Sequence, residues 1–480
     1  MNDSKEVDIE SNSLSASNVG SPNPRLGLSE VFIDPIVQKR VISKFDKFMM
    51  PQMALLMVIA YLDRSNIGNA KTFGFEKGLG LTGNQFGNIS TLFYPTYVVF
   101  EIPWVMAVKR FGANTILAVA MVGWSVTTLG TGFVKNYHQA IAMRLLLGAF
   151  EGALFPSLAF VISNVYSREQ QAKRIAVLYG ASALSGAFGG LIAYAIQLMG
   201  TRSGLSAWRW LFIIEGCISI VIGFLILLTL PRNSTKAWFL NAEERALMSA
   251  RIQRDATTKG EDKFSWKYVR MAILDPVVWI ASIALFCATT PLFGFGTFLP
   301  TIIVGLGYNS LQANYLSIPV YIFACLVLCF IAWISDKLKK RALVVMMVPI
   351  PVLIGYAIVI GSDNHGAGLF AMFLVAAGVY PFNTLIVTWV SNNLQNEHVR
   401  SVGIPLLVSI ANMSGLASSQ IYPSKDKPRY IMGNSVSFGM EAVALISSGL
   451  MYLVIRRRNA KRAEMIVNGE LSETDFKYIL

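Results

Sequence analysis

The chain has 480 residues, of which 54% are hydrophobic and 14% are charged, and its mean hydropathy is +0.51. Soluble globular proteins carry about 25% charged residues, so this composition excludes that class and indicates a membrane protein. The formal net charge of +13 could indicate a nucleic-acid partner, but the basic residues fall mostly in loops on one side of the predicted membrane spans. Membrane topology therefore accounts for the charge, and we predict no nucleic-acid partner.

The N-terminal residues 1–46 are polar, rich in Ser and Asn, and contain no apolar run near Met1. They predict an unstructured cytoplasmic tail without a cleavable signal peptide, so the first spanning helix would itself direct insertion.

Apolar windows separated by polar breaks predict twelve spanning helices, numbered α1 to α12. Their predicted bounds are 49–66, 84–108, 113–133, 138–163, 174–198, 208–230, 277–303, 311–334, 342–361, 367–390, 401–422 and 433–455. The predicted fold class is thus an all-α integral membrane protein with two six-helix halves. The predicted segments, in chain order, are an N-terminal tail over 1–46, the first half over 47–231, a linker over 232–275, the second half over 276–455 and a C-terminal tail over 456–480.

The basic residues predict the orientation of these spans. Of the 41 Lys and Arg residues, 31 fall on the side that holds both tails and the linker, and 8 fall on the other side. Cytoplasmic loops carry the excess of Lys and Arg, so both termini are predicted to be cytoplasmic.

The linker contains the run Asn241-Ala-Glu-Glu-Arg-Ala-Leu, which predicts an amphipathic helix with an acidic first turn. Six spans on each side of a cytoplasmic linker are typical of secondary transporters built from repeated halves.

Several other activities are excluded by missing motifs. The chain has no Gly-Lys dipeptide, so it lacks a phosphate-binding G-x-x-x-x-G-K-[ST] loop, and we predict no nucleotide partner. The G-x-G-x-x-G match over residues 78–83 follows no predicted strand and is interpreted as a flexible turn. The three histidines lie in separate loops, which predicts no metal site. With no grouping of nucleophile, base and acid, the chain is predicted not to be an enzyme.

The end of α1 carries the ionisable pair Asp63 and Arg64, followed by Asn66. An ionised side chain within a membrane helix costs about 2.5–3.5 kcal/mol, so each one needs a partner, a watery cavity or a function. The guanidinium fork of Arg64 suits a carboxylate, and we assign Arg64 and Asn66 to substrate binding. The alternative is that Arg64 pairs with an acid on a neighbouring helix or extends to the outer surface.

Helix α4 carries Arg144 and Glu151, seven residues apart on one face and separated by roughly 10 Å of rise. Glu151 lies near mid-span between Gly148 and Gly152, where it could take up and release a proton, and we assign proton coupling to Glu151 and Asp63. The alternative is a structural glutamate bonded to a neighbour. Arg144 is assigned a structural or gating role.

The second half offers aromatic and amide groups instead of charge. We assign Tyr380 and Asn383 of α10, together with Tyr94 of α2, to substrate binding. Pro291 and Gly294 of α7 predict an interrupted helix that lines a cavity. For each aromatic residue, ordinary core packing is the alternative.

The loop after α8, Asp336-Lys-Leu-Lys-Lys-Arg341, resembles the G-x-L-x-D-R-x-G-R-R loop of the major facilitator superfamily with both glycines replaced. The matching loop after α2 keeps only Arg110 and Gly112. In that family the charges of these loops latch the cytoplasmic side, which implies gating roles for Arg110, Asp336, Lys337 and Arg341.

Five further motifs resemble the fungal anion:cation symporters of the allantoate permease type. They are Leu62-Asp-Arg-Ser-Asn-Ile-Gly-Asn-Ala70, Glu101-Ile-Pro103, Arg144-x-x-x-Gly-x-x-Glu151, Trp210-Leu-Phe-Ile-Ile-Glu-Gly216 and Phe476-Lys-Tyr478. The resemblance implies proton-coupled import of a small carboxylate such as nicotinate, pantothenate or allantoate. In related animal organic-anion transporters the arginine of the first helix meets the anion and the glutamate of the fourth is tied to proton coupling. A second basic residue that some relatives place in α7 is absent, which favours a monocarboxylate.

We therefore predict a proton-coupled importer of an organic monoanion. Its partners would be the anion, the proton as coupling ion and the lipid bilayer, with no other cofactor, and it would act as a monomer in the plasma membrane or in an internal membrane. The alternatives are a proton-driven drug exporter, a sugar permease and a non-transporting nutrient sensor of the same fold.

Overall fold

The computed structural model describes residues 35–166, 168–258, 266–338, 340–394, 397–468 and 478–480. Within these residues twelve helices are long and apolar enough to span a membrane, which confirms the predicted fold class. In chain order, α1 to α12 cover Ile36–Thr72, Gln85–Val108, Ala113–Thr131, Tyr137–Val165, Lys173–Met199, Ala207–Thr229, Pro276–Gly305, Ser310–Leu338, Arg341–Gly361, His365–Asn393, His398–Ser418 and Ile431–Val467.

The chain is helical earlier than the sequence predicted. Residues 35–46, predicted as part of an unstructured tail, lie in the helix Pro35–Phe48, which leads into Met50–Thr72. Val41 and Phe45 of this segment are buried in the core of the first half. The prediction was wrong here because the apolar residues are spaced among lysines, so the average composition is polar. At the other end, α12 continues past the predicted residue 455 to Val467.

Prolines explain where some spans bend. Helix α4 is interrupted at Gly152 and Ala153. Pro156 lies four residues after Gly152 and has no N–H to donate to the Gly152 carbonyl, which explains the interruption. Helix α7 contains Pro291 and Pro300 but is continuous from Pro276 to Gly305, so the predicted interruption of α7 was wrong.

The linker forms the predicted amphipathic helix, Ala242–Thr258, and a second helix, Trp266–Leu274. The first of these is capped reciprocally: the Glu244 N–H donates to Asn241 Oδ1 at 2.8 Å, and the Asn241 N–H donates to Glu244 Oε2 at 2.9 Å. Lys44 of α1 also donates to Glu244, at 2.7 Å. The linker is thereby attached to the first half.

The two halves pack along α5 and α8. A Cβ added to Gly190 of α5 would lie 2.7 Å from Ser317 Oγ of α8, and one added to Gly186 would meet the Tyr321 ring. The small residues of α5 therefore let α8 approach closely.

Polar contacts also join the halves at one end. We call the side that carries the linker the linker face, and the other side the opposite face. At the opposite face, Ser424 Oγ donates to Glu76 Oε1 at 2.8 Å, and Gln420 Nε2 donates to Thr91 Oγ1 at 2.7 Å. In this conformation these contacts hold the two halves together at the opposite face.

Candidate functional site

A cavity lined by residues of both halves lies between them. Its lining runs from Arg64 toward the linker face, where Met57, Val387 and Val408 are found. The cavity is therefore on the linker side of the contacts that join the halves. The lining side chains most relevant to binding are Tyr61, Arg64, Tyr97, Thr289, Phe293, Tyr380 and Asn383.

Arg64 and Glu151 are bonded to each other at this cavity. Arg64 Nε donates to Glu151 Oε1 at 3.0 Å, and Nη2 donates to the same oxygen. Glu151 is fully buried, whereas the Arg64 side chain is 12% exposed. Glu151 Oε2 has no hydrogen-bond partner within the described ranges. The residue assigned to anion binding, Arg64, is therefore paired with the residue assigned to proton coupling, Glu151. In this conformation Arg64 pairs with an acid on a neighbouring helix, which is the alternative that the sequence left open.

Four aromatic rings surround the Arg64 guanidinium. Its carbon lies 4.8 Å from the ring centre of Tyr61, 4.9 Å from that of Phe93, 5.0 Å from that of Tyr97 and 5.9 Å from that of Phe293. Rings at these distances attract a cation through their negative faces. The first three belong to the first half, so the guanidinium is held mainly by its own half.

Two glycines on either side of Glu151 bring α4 close to α2. A Cβ added to Gly152 would lie 2.6 Å from the Tyr97 carbonyl oxygen of α2, and one added to Gly148 would meet the Phe93 carbonyl oxygen. This confirms the close helix approach that the sequence predicted at both glycines.

Other charged groups lie deeper in the first half. Asp63 and Arg144 are each less than 5% exposed, and Arg144 lies within electrostatic range of both Asp63 and Glu151. Glu215 of α6 is buried near Asp63, and neither oxygen of the Glu215 carboxylate has a hydrogen-bond partner in the described part of the chain. Arg144 therefore belongs to this buried charged cluster.

The second half lines the cavity with neutral polar groups. Thr289 Oγ1 of α7 donates to Asn383 Oδ1 of α10 at 2.5 Å, and Asn383 Nδ2 donates to the Val379 carbonyl at 2.8 Å. Tyr380 also lines the cavity, so both α10 residues assigned to substrate binding are found there.

Asn66 lies outside the cavity, contrary to the prediction. It is fully buried and accepts a hydrogen bond from Asn69 at 3.4 Å, and it faces Gly189 of α5. The physical reason is helical geometry, because a residue two positions after Arg64 points about 200° around the helix. Tyr94 contributes to a smaller neighbouring cavity that Arg64 and Arg144 also line.

Sequence reasoning missed Tyr61, Tyr97 and Thr289 as cavity residues. Tyr61 lies three residues before Arg64, on the same helix face, so the spacing from Arg64 was a usable signal. Tyr97 and Thr289 carried no such signal, because their place in the cavity depends on how α2 and α7 are rotated in the assembled halves.

The residues assigned to gating lie apart from the cavity. Arg341 Nη2 donates to Asp336 Oδ1 at 3.1 Å, which closes the loop after α8 within the second half. The Lys337 ammonium lies 4.8 Å from the Trp333 ring centre, and the Arg110 guanidinium lies 5.4 Å from that of Phe111. In this conformation each of these contacts stays within one half.

Comparisons with known proteins agree with this architecture. The family model of the Major Facilitator Superfamily matches residues 53–419. An uncharacterised transporter of Schizosaccharomyces pombe is 38% identical, covering 96% of this chain and 94% of the relative. A high-affinity nicotinic acid transporter of Saccharomyces cerevisiae is 34% identical, covering 90% of this chain and 80% of the relative.

Solved structures show the same fold at low identity. A D-xylose-proton symporter has a TM-score of 0.65 and 14% identity, covering 85% of this chain and 97% of its own. A bacterial homologue of the human lysosomal transporter Spinster, inward-facing and unoccupied, has a TM-score of 0.65 and 15% identity, with coverage of 88% and 97%. The family and the curated relatives are membrane transporters, which confirms the prediction that the chain is not an enzyme. The chain belongs to the Major Facilitator Superfamily of multi-pass membrane transporters.

Proposed function

We propose that this transporter imports a small organic monocarboxylate together with a proton. The observation that carries the proposal is the bond between Arg64 and Glu151 at the wall of the central cavity. A substrate carboxylate needs the same guanidinium that Glu151 occupies, so anion and Glu151 compete for Arg64.

Protonation resolves this competition. A neutral Glu151 no longer holds Arg64 as an ion pair, and the guanidinium becomes available to the substrate anion. Conversely, an anion on Arg64 deprives Glu151 of the cation bonded to it in a buried site, which favours the neutral acid. Proton and anion therefore bind cooperatively, and linkage requires that each raises the affinity for the other. A proton gradient can then drive uptake of the anion.

The charges of the cavity favour a monoanion. Arg64 is the only charged residue among the side chains that line the described cavity. A second carboxylate, or the ammonium of an amino acid, would therefore enter without a partner at a high desolvation cost. The nicotinic acid transporter among the relatives carries a monocarboxylate by its name, which agrees with this charge count.

The proposed orientation places the linker face in the cytoplasm. The excess of basic residues on that side supports this assignment, and the plasma membrane is the proposed location. The cavity would then open inward, with the contacts at the opposite face closing the outside.

Uptake of labelled carboxylates tests the proposal. Cells that express the protein are given nicotinate, pantothenate or allantoate at an external pH of about 5 or about 7.5, with and without a protonophore. We expect faster uptake of one compound at the lower pH and its loss with the protonophore. Absence of carboxylate uptake, together with changed drug resistance or sugar-dependent growth, would contradict the proposal.

A further inference from the structure

The cavity wall opposite Arg64 contains an amide whose orientation is fixed. Asn383 Oδ1 accepts the hydroxyl hydrogen of Thr289, and Asn383 Nδ2 donates one hydrogen to the Val379 carbonyl. The Thr289 hydroxyl also lies 2.6 Å from the Leu285 carbonyl, an acceptor on its own helix. The Val379 carbonyl can only accept, so the amide nitrogen faces it and the amide oxygen is left to face Thr289.

One donor of this amide is uncommitted. An asparagine side chain has two N–H groups, and among the described contacts only one of them is used. Asn383 is 7% exposed and is one of the residues that line the cavity. A buried donor of this kind is satisfied best by an acceptor on a bound molecule.

We propose that Asn383, oriented by Thr289, is the specificity subsite that donates a hydrogen bond to an acceptor at the uncharged end of the substrate. The inference rests on the proposed import of a monocarboxylate. Planar rings suit the space between, because Tyr61, Tyr97, Phe293 and Tyr380 line it. The substrate class is therefore a ring monocarboxylate whose ring carries an acceptor, such as a pyridine nitrogen. An ammonium at that end is rejected because it would meet a donor.

Nicotinate and benzoate are the matched probes. Both have one carboxylate on a six-membered aromatic ring, and only nicotinate has the ring nitrogen. For wild type we expect a KM for nicotinate that is about tenfold to hundredfold lower than for benzoate, the value of one hydrogen bond from a buried donor. N383L removes the donor and should bring the two KM values together.

Further variants separate this subsite from a general loss of structure. T289S keeps the hydroxyl and should retain the preference, whereas T289V should weaken it by freeing the amide to rotate. N412L changes another amide that lines the cavity and is the control, with the preference retained.

Each other outcome has a definite meaning. Equal KM values for the two acids in wild type, or an unchanged preference in N383L, overturn the subsite. Import of another carboxylate with neither ring acid accepted overturns it as well, while leaving the proposed function intact. Failure to import any carboxylate contradicts the proposed function itself.

Discussion

The first half places ionisable groups at and behind its wall of the cavity, whereas the second half offers amides, hydroxyls and rings. The buried ionisable cluster of the first half comprises Asp63, Arg64, Arg144, Glu151 and Glu215. The second half also buries a carboxylate, Glu441 of α12, but this residue does not line the cavity. Under the proposed function, the first half recognises and couples charge, and the second half recognises the shape and hydrogen bonding of the neutral end.

Removing the Arg64 guanidinium from the first half should have the largest effect on transport. R64A deletes the donors for the substrate carboxylate and leaves Glu151 unpaired, so we expect a loss of anion affinity of about a hundredfold or more. R64K keeps the charge without the planar fork and should lie between R64A and wild type. The measurement is binding of a labelled carboxylate to purified protein. Wild-type affinity in R64A would return Arg64 to a purely structural role.

Neutralising Glu151 should separate transport from its driving force. E151Q mimics the protonated acid and leaves Arg64 free, so exchange of external for internal anion should continue while accumulation against a gradient is lost. Exchange and net uptake are measured in liposomes with an imposed pH gradient. E441Q is the matched control, because Glu441 is fully buried but lies outside the cavity. Accumulation by E151Q would contradict the assignment.

The close contact between α2 and α4 is a smaller target. A side chain at Gly152 must displace the Tyr97 backbone, so G152V should push α4 away from α2 and separate Glu151 from Arg64, at a cost of about 1–3 kcal/mol. G180A is the control, since a Cβ at Gly180 would meet nothing within 4 Å. We expect a lower unfolding temperature and slower transport for G152V only. Equal behaviour of the two variants would show that the close approach is not needed.

The smallest effect concerns the ion pair between the linker and α1. Burial raises the pKa of Glu244, but hydrogen bonds from Lys44 and from the backbone of Asn241 lower it more, so the net shift is downward. A lowered pKa stabilises the folded protein at pH values above the ordinary glutamate pKa of about 4.5, and this stabilisation is lost as the pH falls below it. The pair should contribute about 0.5 kcal/mol, because Lys44 is 31% exposed.

The measurement for this ion pair is the unfolding temperature of detergent-solubilised wild type and E244Q at about pH 7 and about pH 4. The difference between the two proteins should be present at the higher pH and shrink at the lower one. A difference that grows on acidification would contradict the assigned sign.

The sequence predicts the fold and the charged part of the site better than the neutral part. Long apolar runs reveal membrane spans, and a charge inside a span is conspicuous, so Arg64 and Glu151 could be identified one helix at a time. Tyr97 and Thr289 could not, because an aromatic ring or a hydroxyl in a spanning helix is ordinary. Their place at the cavity depends on helix rotations that only the assembled halves define. Asn66 was assigned to substrate binding because it is close to Arg64 in the sequence, but it lies on a different helix face and does not line the cavity.

Under the proposed function, anion and proton bind together because both act on the bond between Arg64 and Glu151. The most direct test is the number of protons taken up when nicotinate binds to purified protein near neutral pH, measured by calorimetry in buffers of different ionisation enthalpy. We predict that wild type takes up a proton with each anion and that E151Q binds the anion without one. Anion binding without proton uptake in wild type, or unchanged proton uptake in E151Q, would contradict this coupling.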